Sequence, residues 1–334
     1  MIKYWNHPEL TALRRMRERF LTGTAGAQDY WRRPEDIALY DRTFAERIGW
    51  KWDAVLRELT ARAWQPQSRH VLDWGCGSGV AGRRVLAQWP RMESLALHDR
   101  SPLAVRFAAE KARADFPKVR LAAAAAPLPP DTLLVLSHVI SELPARELAH
   151  LLDLARQARE VVWVEAGTHA DSRRLIAVRE SLLGEFAPVA PCTHQRACGL
   201  LTAKNAPHWC HHFAAPPSQI FQDARWMDFG RELGIDLRSL PYSFLVLERP
   251  RATPPTPAGL SHVIGEPREG KGHLKVLSCH ADGVAELVLQ KRDAPALYRA
   301  LRKGEGPPVQ RWTLADGKIV GSDAAPAGSE PPPP

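Results

Sequence analysis

Val71-Leu72-Asp73-Trp74-Gly75-Cys76-Gly77-Ser78-Gly79 joins an apolar run to three alternating glycines, and a helical pattern opens at Val80. An apolar strand turning sharply into a helix is the first unit of a doubly wound α/β domain. Glycines at that turn let the backbone approach a ligand closely. Working outward, Val80 to Trp89 reads as a helix, Ser94 to His98 as a strand, Pro102 to Phe116 as a helix and Thr132 to Ser137 as a strand. Pro144 to Arg159 (helix), Val161 to Glu165 (strand) and Ser172 to Phe186 (helix) continue the series. Such alternation predicts a parallel sheet covered by helices.

Residues 1–65 read as an N-terminal helical region, with Leu10, Leu13, Met16 and Phe20, then Ile37, Leu39, Tyr40, Phe44 and Ile48, and finally Val55, Leu56 and Leu59 at helical spacings. The α/β domain spans 66–250 and contains an irregular insertion, 187–240, dense in Cys, His, Pro and Trp. Its length marks it as functional, not as an ordinary loop. After Arg249 the composition turns to Pro, Thr and Gly through Gly272, a linker, and Leu274–Ser278 and Val284–Gln290 pair as a hairpin about Ala281-Asp282-Gly283. A β-rich extension thus occupies 251–320, and the Pro/Ala/Gly-rich residues 321–334 are expected to be disordered.

A chain of 334 residues, 45% hydrophobic and 25% charged, has enough apolar material for one large core or two smaller ones, which excludes collagen-like, wholly disordered and disulfide-miniprotein classes. No stretch approaches the ~18 apolar residues of a membrane helix; the best, Val119 to Ile140, is broken by Arg120, Asp131 and three prolines. A soluble protein without a membrane partner is expected. Lys+Arg 45 against Asp+Glu 37 gives +8, which suits a polyanion partner or simply a solvated basic surface. Met1 to Arg33 lacks the apolar core of a secretory signal and carries Glu9 and Glu18, so it reads as mature protein. Five cysteines, an odd number, point to a reducing compartment, and the richness in arginine, alanine and proline suggests a bacterial cytosol, with a mitochondrial matrix as the alternative.

Two cofactors compete for the glycine turn, because Gly77, Gly79 and Gly82 also satisfy the G-x-G-x-x-G of a dinucleotide site. A carboxylate at Asp73 repels a pyrophosphate and favours a cationic ligand, and S-adenosylmethionine (SAM) carries an ammonium and a sulfonium. Asp99, at the end of the next strand, is placed to accept from ribose hydroxyls. The candidate cofactor set is therefore Asp73, Gly75, Gly77, Gly79 and Asp99, with Ser137 and His138 at the end of the fourth strand. The D-x-G-x-G-x-G pattern resembles motif I of class I SAM-dependent methyltransferases, which implies their Rossmann-like fold.

No catalytic residue is assigned. Ser137-His138-Val139-Ile140-Ser141-Glu142-Leu143-Pro144 does not resemble the Asn/Asp-Pro-Pro-aromatic motif of amino-directed base methyltransferases. His138 and Glu142 are candidates for a base or an orienting group, against the plainer reading of a helix-start His and a surface Glu. Glu165 and Gly167 are expected to shape the pocket.

Cys192, Cys198 and Cys210 fall within nineteen residues that also hold His194, His208 and, just beyond, His211 and His212. Three soft ligands in one irregular segment suggest a metal, although the spacings match no common zinc-finger pattern. Cys279 beside the hairpin turn offers a fourth thiolate, and four would suit an iron-sulfur cluster or an all-thiolate zinc site. Buried, unliganded thiols are the plain alternative. Cys76 reads as a small residue between glycines.

Ala190-Pro191-Cys192-Thr193-His194-Gln195-Arg196-Ala197-Cys198, Trp209-Cys210-His211-His212-Phe213 and Tyr242-Ser243-Phe244-Leu245-Val246-Leu247 resemble segments of the ribosomal small-subunit assembly family of methyltransferase-like proteins, which has mitochondrial members. Ser137 to Leu143 and Val164-Glu165-Ala166-Gly167-Thr168 are similar to other segments of it, so the resemblance runs from about residue 30 to 312. It implies a 4Fe-4S cluster held by Cys192, Cys198, Cys210 and Cys279, and partners in small-subunit ribosomal RNA and proteins. Thr193 and Gly199, where that family favours Pro, and the extra His after Cys210 are departures that alter the loop more than the ligands. An assembly factor that binds SAM and a cluster is the leading expectation. An active rRNA methyltransferase is the second, and a small-molecule methyltransferase with a structural zinc site is the alternative from another class.

Overall fold

The computed structural model describes residues 4–22, 31–124, 127–250 and 259–324. In chain order, α1 (His7–Thr22), α2 (Pro34–Tyr40) and α3 (Glu46–Ala61) precede β1 (His70–Trp74), α4 (Val80–Gln88), β2 (Ser94–His98), α5 (Pro102–Asp115) and β3 (Arg120–Ala122). Next come β4 (Thr132–Ser137), α6 (Ala145–Ala155), β5 (Glu160–Ala166), α7 (His169–Leu182), β6 (Ala187–Ala190), β7 (His212–Phe213), α8 (Ala224–Leu233) and β8 (Pro241–Glu248). The chain closes with β9 (Ser261–Gly270), β10 (His273–His280), β11 (Gly283–Gln290), α9 (Pro295–Lys303), β12 (Val309–Ala315) and β13 (Lys318–Ala324). Among the described residues, no helix is long and apolar enough to cross a membrane.

Two compact units result: Met1–Leu56, Pro66–Glu165 and Ala214–Pro241 make the first, and Arg57–Gln65, Ala166–Phe213 and Tyr242–Pro334 the second. The first carries five parallel strands in the order β3-β2-β1-β4-β5. The first five residues of β4 are all buried, as a strand covered on both faces requires, and this is why it reads as an unbroken apolar run. The order reverses between β1 and β4, and the carboxyl ends of strands at such a switch point open a crevice for a ligand. In α1, Leu10, Leu13 and Met16 are buried at helical spacing, and each such side chain contributes on the order of 1.5–3 kcal/mol relative to exposure.

In the second unit β6 pairs antiparallel with β8, and the last five strands close into a barrel, β9-β10-β11-β13-β12. Val263, Leu274, Val276, Leu289 and Ile319 fill it, with Tyr298 and Leu301 of α9 packed on the same core. The strands β10 and β11 pair antiparallel about Ala281-Asp282, with both strands longer than the apolar runs alone indicated, and they are only part of this barrel.

Three expectations need correction. The irregular segment 187–240 contains β6, β7 and α8; Trp226, Phe229 and Leu233 are buried on α8 at helical spacing, and the Asp223 side chain caps it by accepting from the Arg225 amide. Gly and Pro between Arg249 and Gly272 masked a ten-residue strand, β9; the first half of that supposed linker, 251–258, lies outside the described residues. Residues 321–324, expected in the tail, belong to β13, which continues to Ala324 by pairing with β12, a partner no local composition announces; residues 325–334 lie outside the described residues.

Gly199 brings the cysteine-bearing loop against the β10–β11 turn. A Cβ there would lie 2.7 Å from Gly283 Cα and 2.8 Å from the Val284 amide, both backbone atoms that cannot step aside. Gly199→Ala is expected to destabilise the protein by about 1–3 kcal/mol. Urea denaturation measures this, and an unchanged midpoint would mean that loop and turn do not touch in solution.

Candidate functional site

The glycine turn of the first unit is built from left-handed backbone: Gly75, Gly77 and Gly79 have φ of 71°, 52° and 79°. A Cβ at Gly79 would meet Ala108 Cβ at 2.8 Å, so that position has neither the conformation nor the space for a side chain. The Gly75 and Cys76 amides donate to the His98 carbonyl at 2.8 and 2.9 Å, and the Gly77 amide donates to Asp99 Oδ2 at 2.9 Å. The second Asp99 oxygen accepts from the Ser101 amide at 2.9 Å. Asp99 thus ties the turn to the end of β2 while staying partly exposed at the crevice.

Asp73 is the fourth residue of β1. It is fully buried, and Oδ2 accepts from the Gly82 amide in the first turn of α4 at 2.9 Å. Its Oδ1 is buried without a hydrogen-bond partner. Burial first, and then the neighbouring Asp99 charge, push its carboxyl up to about 7, against opposing effects from the Gly82 amide and Arg83. Asp73 thus ties the end of β1 to the first turn of α4.

At the end of β4, His138 adopts the left-handed φ of 55°, rare for a residue with a side chain. Its amide donates to the Val164 carbonyl at 2.9 Å, and its ring lies between Lys51 Nζ, 3.2 Å from Nε2, and Ser137 Oγ, 3.4 Å from Nδ1. Ser137 Oγ in turn accepts from the Trp52 indole at 2.9 Å. Burial, reinforced by Lys51, holds His138 well below its ordinary pKa, so the ring is neutral. Glu165, 1% exposed, gathers the Val139 amide (3.0 Å), the Ile140 amide (2.9 Å) and the Trp163 indole (2.6 Å) on one oxygen. It therefore fixes the backbone that follows β4. Gly167, in the second unit, gives its carbonyl to the Trp209 indole at 2.9 Å. Tyr40 completes the first unit's edge: its hydroxyl is pushed up by burial and then by Glu142, Asp41 and Asp99, so these acids share one neighbourhood.

The second unit contains a cavity of about 40 Å³ whose walls include Cys192, Cys198, Cys210 and Cys279, with His194, His262 and the Ser172, Ile176 and Arg179 face of α7. All four expected thiols converge there. Burial, and then the other thiols, push Cys210 and Cys279 up; Cys198 is likewise raised, by burial first. Cys76 is apart from them in the glycine turn, buried and 5% exposed, as a small residue between glycines. Among the described residues, no three Cys, His, Asp or Glu side chains close tightly enough to hold a single metal ion.

Arginines that the sequence reading passed over hold this loop. Arg179 donates to Cys192 Sγ at 3.1 Å and to the His194 and Arg196 carbonyls at 3.2 and 2.8 Å. Arg62 donates to the Val189, Pro191 and Cys192 carbonyls at 3.0, 2.9 and 3.3 Å, and Arg173 to those of Leu200, Asn205 and Ala206 at 2.6, 2.9 and 2.9 Å. An irregular loop has no ladder to satisfy its carbonyls, and a guanidinium fork satisfies several at once. Ser172 and Ser243 both donate to the Cys210 carbonyl, at 2.7 and 2.6 Å. The available signal was Arg179 itself, a cation on the same helical face as Ser172, Leu175 and Ile176.

The fold and the turn define a Rossmann-like α/β protein with its crevice at the switch point. The chain belongs to the mitochondrial small ribosomal subunit Rsm22 family, whose model matches residues 43–306. No curated protein matches it. Among solved structures, a plantazolicin methyltransferase is similar at 10% identity, over 73% of this chain and 97% of its own, with a TM-score of 0.41. Magnesium protoporphyrin IX methyltransferase from Synechocystis, solved with bound SAM, is similar at 16% identity over 75% of this chain and 100% of its own, TM-score 0.38. A SAM-dependent methyltransferase from Aquifex aeolicus is similar at 14% identity over 47% and 90%, TM-score 0.36.

Because burial raises the Asp73 carboxyl from 3.8 to about 7, the folded chain holds that proton more tightly than the unfolded chain, and stability falls as pH rises through that window. Asp73→Asn keeps an acceptor for Gly82 and removes the titration. The variant's stability advantage over wild type, followed by thermal melts, should grow from about pH 4 to about pH 7 and then level off. Parallel melting profiles would show that Asp73 is not buried as a carboxyl.

Proposed function

We propose that this chain is a SAM-binding, cluster-bearing factor that acts on the small ribosomal subunit during its assembly. The carrying observation is family membership across 43–306, and the glycine turn at the switch point supports a nucleoside cofactor there. Gly75, Gly77 and Gly79 hold the turn in left-handed backbone, and Asp99 offers ribose hydroxyls an acceptor already oriented by two amides. Asp73 and Glu165 are positioning residues, one under the turn and one behind the rim. SAM supplies an electrophilic methyl group, and transfer needs mainly alignment of an acceptor. His138 is a neutral ring held between Lys51 and Ser137, and the residues after β4 do not resemble the Asn/Asp-Pro-Pro-aromatic acceptor motif, which favours an assembly role over catalysis.

The four thiols support the second cofactor. They are contributed by the loop and by the barrel strand β10, and line one cavity. In a 4Fe-4S cluster each thiolate meets its own iron, so the four sulfurs surround a body and need not converge on one point, as zinc would require. Such a cluster supplies redox capacity or a structural cross-link. The residues that would hold it are Cys192, Cys198, Cys210 and Cys279, with Arg179, which donates to the Cys192 sulfur, offsetting negative charge. The free thiols suit a reducing compartment in which ribosomes assemble, a bacterial cytosol or a mitochondrial matrix.

Anaerobic purification should give iron and sulfide with a broad visible band, weakened or lost in Cys279→Ser; zinc in their place would keep the thiol site and remove the redox role. In calorimetry the wild type should bind SAM, and Asp99→Asn should weaken it by about tenfold through loss of charged hydrogen bonds. Tight NAD binding without SAM binding would overturn the cofactor assignment. The protein should cosediment with immature small subunits at low salt, and its absence from them would sink the ribosomal reading.

A further inference from the structure

The terminal barrel carries a surface that neither site uses. Around it the strands run β9-β10-β11-β13-β12 and back to β9, β11 and β13 are parallel, and α9 joins β11 to β12. This is the arrangement of an OB fold, whose second and third strands and adjoining loops form a groove for oligonucleotides or oligosaccharides. Fold alone does not choose the ligand; the outward side chains do.

Leu274, Val276, Leu289 and Ile319 fill the barrel, so their alternating neighbours Lys275, Val288 and Lys318 face out. The register sets Arg268 beside Lys275, Lys275 beside Val288 and Val288 beside Lys318, a single row across four strands. With strands ~4.8 Å apart the row covers about 14 Å. Exposed Lys271 in the β9–β10 turn and exposed Lys291, whose amide donates to the Gly272 carbonyl at 3.0 Å, extend it at one end. Lys271, Lys291 and Lys318 make no ion pair among the described residues, while Arg268 and Lys275 share the one carboxylate of Glu286. The row holds no aromatic ring on which a base could stack, so recognition falls to charge.

We propose that this face binds single-stranded RNA through its phosphates, without sequence preference. The inference rests on the ribosomal reading above and supplies its docking surface. The test is filter binding of a ~16-nucleotide oligouridylate to the full chain over a salt series, a length within the span of one OB fold. A Lys271→Ala/Lys275→Ala/Lys291→Ala/Lys318→Ala variant should lower the slope of log affinity against log salt by up to about 3, since each phosphate contact on a single strand contributes ~0.7. A control, Arg106→Ala/Arg113→Ala/Lys118→Ala/Arg146→Ala, removes equal charge from exposed positions of the first unit and should leave the slope nearly unchanged. Glu286→Gln, which frees Arg268 and Lys275, should strengthen binding. Equal losses in the two quadruple variants, or no loss in the barrel variant, overturn the surface assignment while leaving RNA docking intact. Equal affinity for an RNA duplex overturns the single-strand assignment, and no salt-dependent binding by wild type overturns this inference together with the docking role.

Discussion

The hydrogen bond from the Gly82 amide to Asp73, 2.9 Å long with the carboxyl wholly buried, fixes where β1 stops and α4 starts. A Cβ at Gly82 would lie 2.8 Å from that same oxygen, so the contact requires glycine at its other end. With this joint set, Gly75, Gly77 and Gly79 take the left-handed conformation, and the amides of Gly75, Cys76 and Gly77 are aimed at the end of β2.

The second unit solves the opposite problem. Its cysteine loop has almost no regular structure, and its carbonyls are satisfied by forks from Arg62, Arg173 and Arg179 and by two serines. Arg62 is itself anchored by buried Glu58 at 2.7 Å, and Glu58 also faces His262 Nε2 at 3.0 Å, whose other ring nitrogen lies 2.8 Å from the Val263 carbonyl. Burial works against the Glu58 charge, but His262 and Arg62 outweigh it and hold the carboxyl well below its usual range. Breaking a buried network of this kind leaves uncompensated charge, which is why so polar a frame can hold four thiols in place.

Much of the first unit was legible because a parallel strand covered on both faces is apolar throughout, as in Thr132 to Ser137, and because a turn that needs positive φ needs glycine. The cysteines could be grouped by resemblance, but their convergence depends on the close approach of Gly199 to Gly283, which also brings together His194 and Cys279, 85 residues apart. The burial of Asp73 was not legible, because its residue type and position set a charge, whereas the direction of its side chain is set by α4 folding back on β1.

By itself the sequence determined the alternation of strands and helices, the glycine turn, the candidate thiols and the β10–β11 hairpin, all of which are written in local periodicity or turn chemistry. Only the tertiary structure decided that β9, β12 and β13 close that hairpin into a barrel and that three arginines frame the cysteine loop. Barrel closure pairs strands distant in sequence, and the clamps join side chains to carbonyls far along the chain; no local pattern specifies either, because the energy that selects them appears only once the chain has folded.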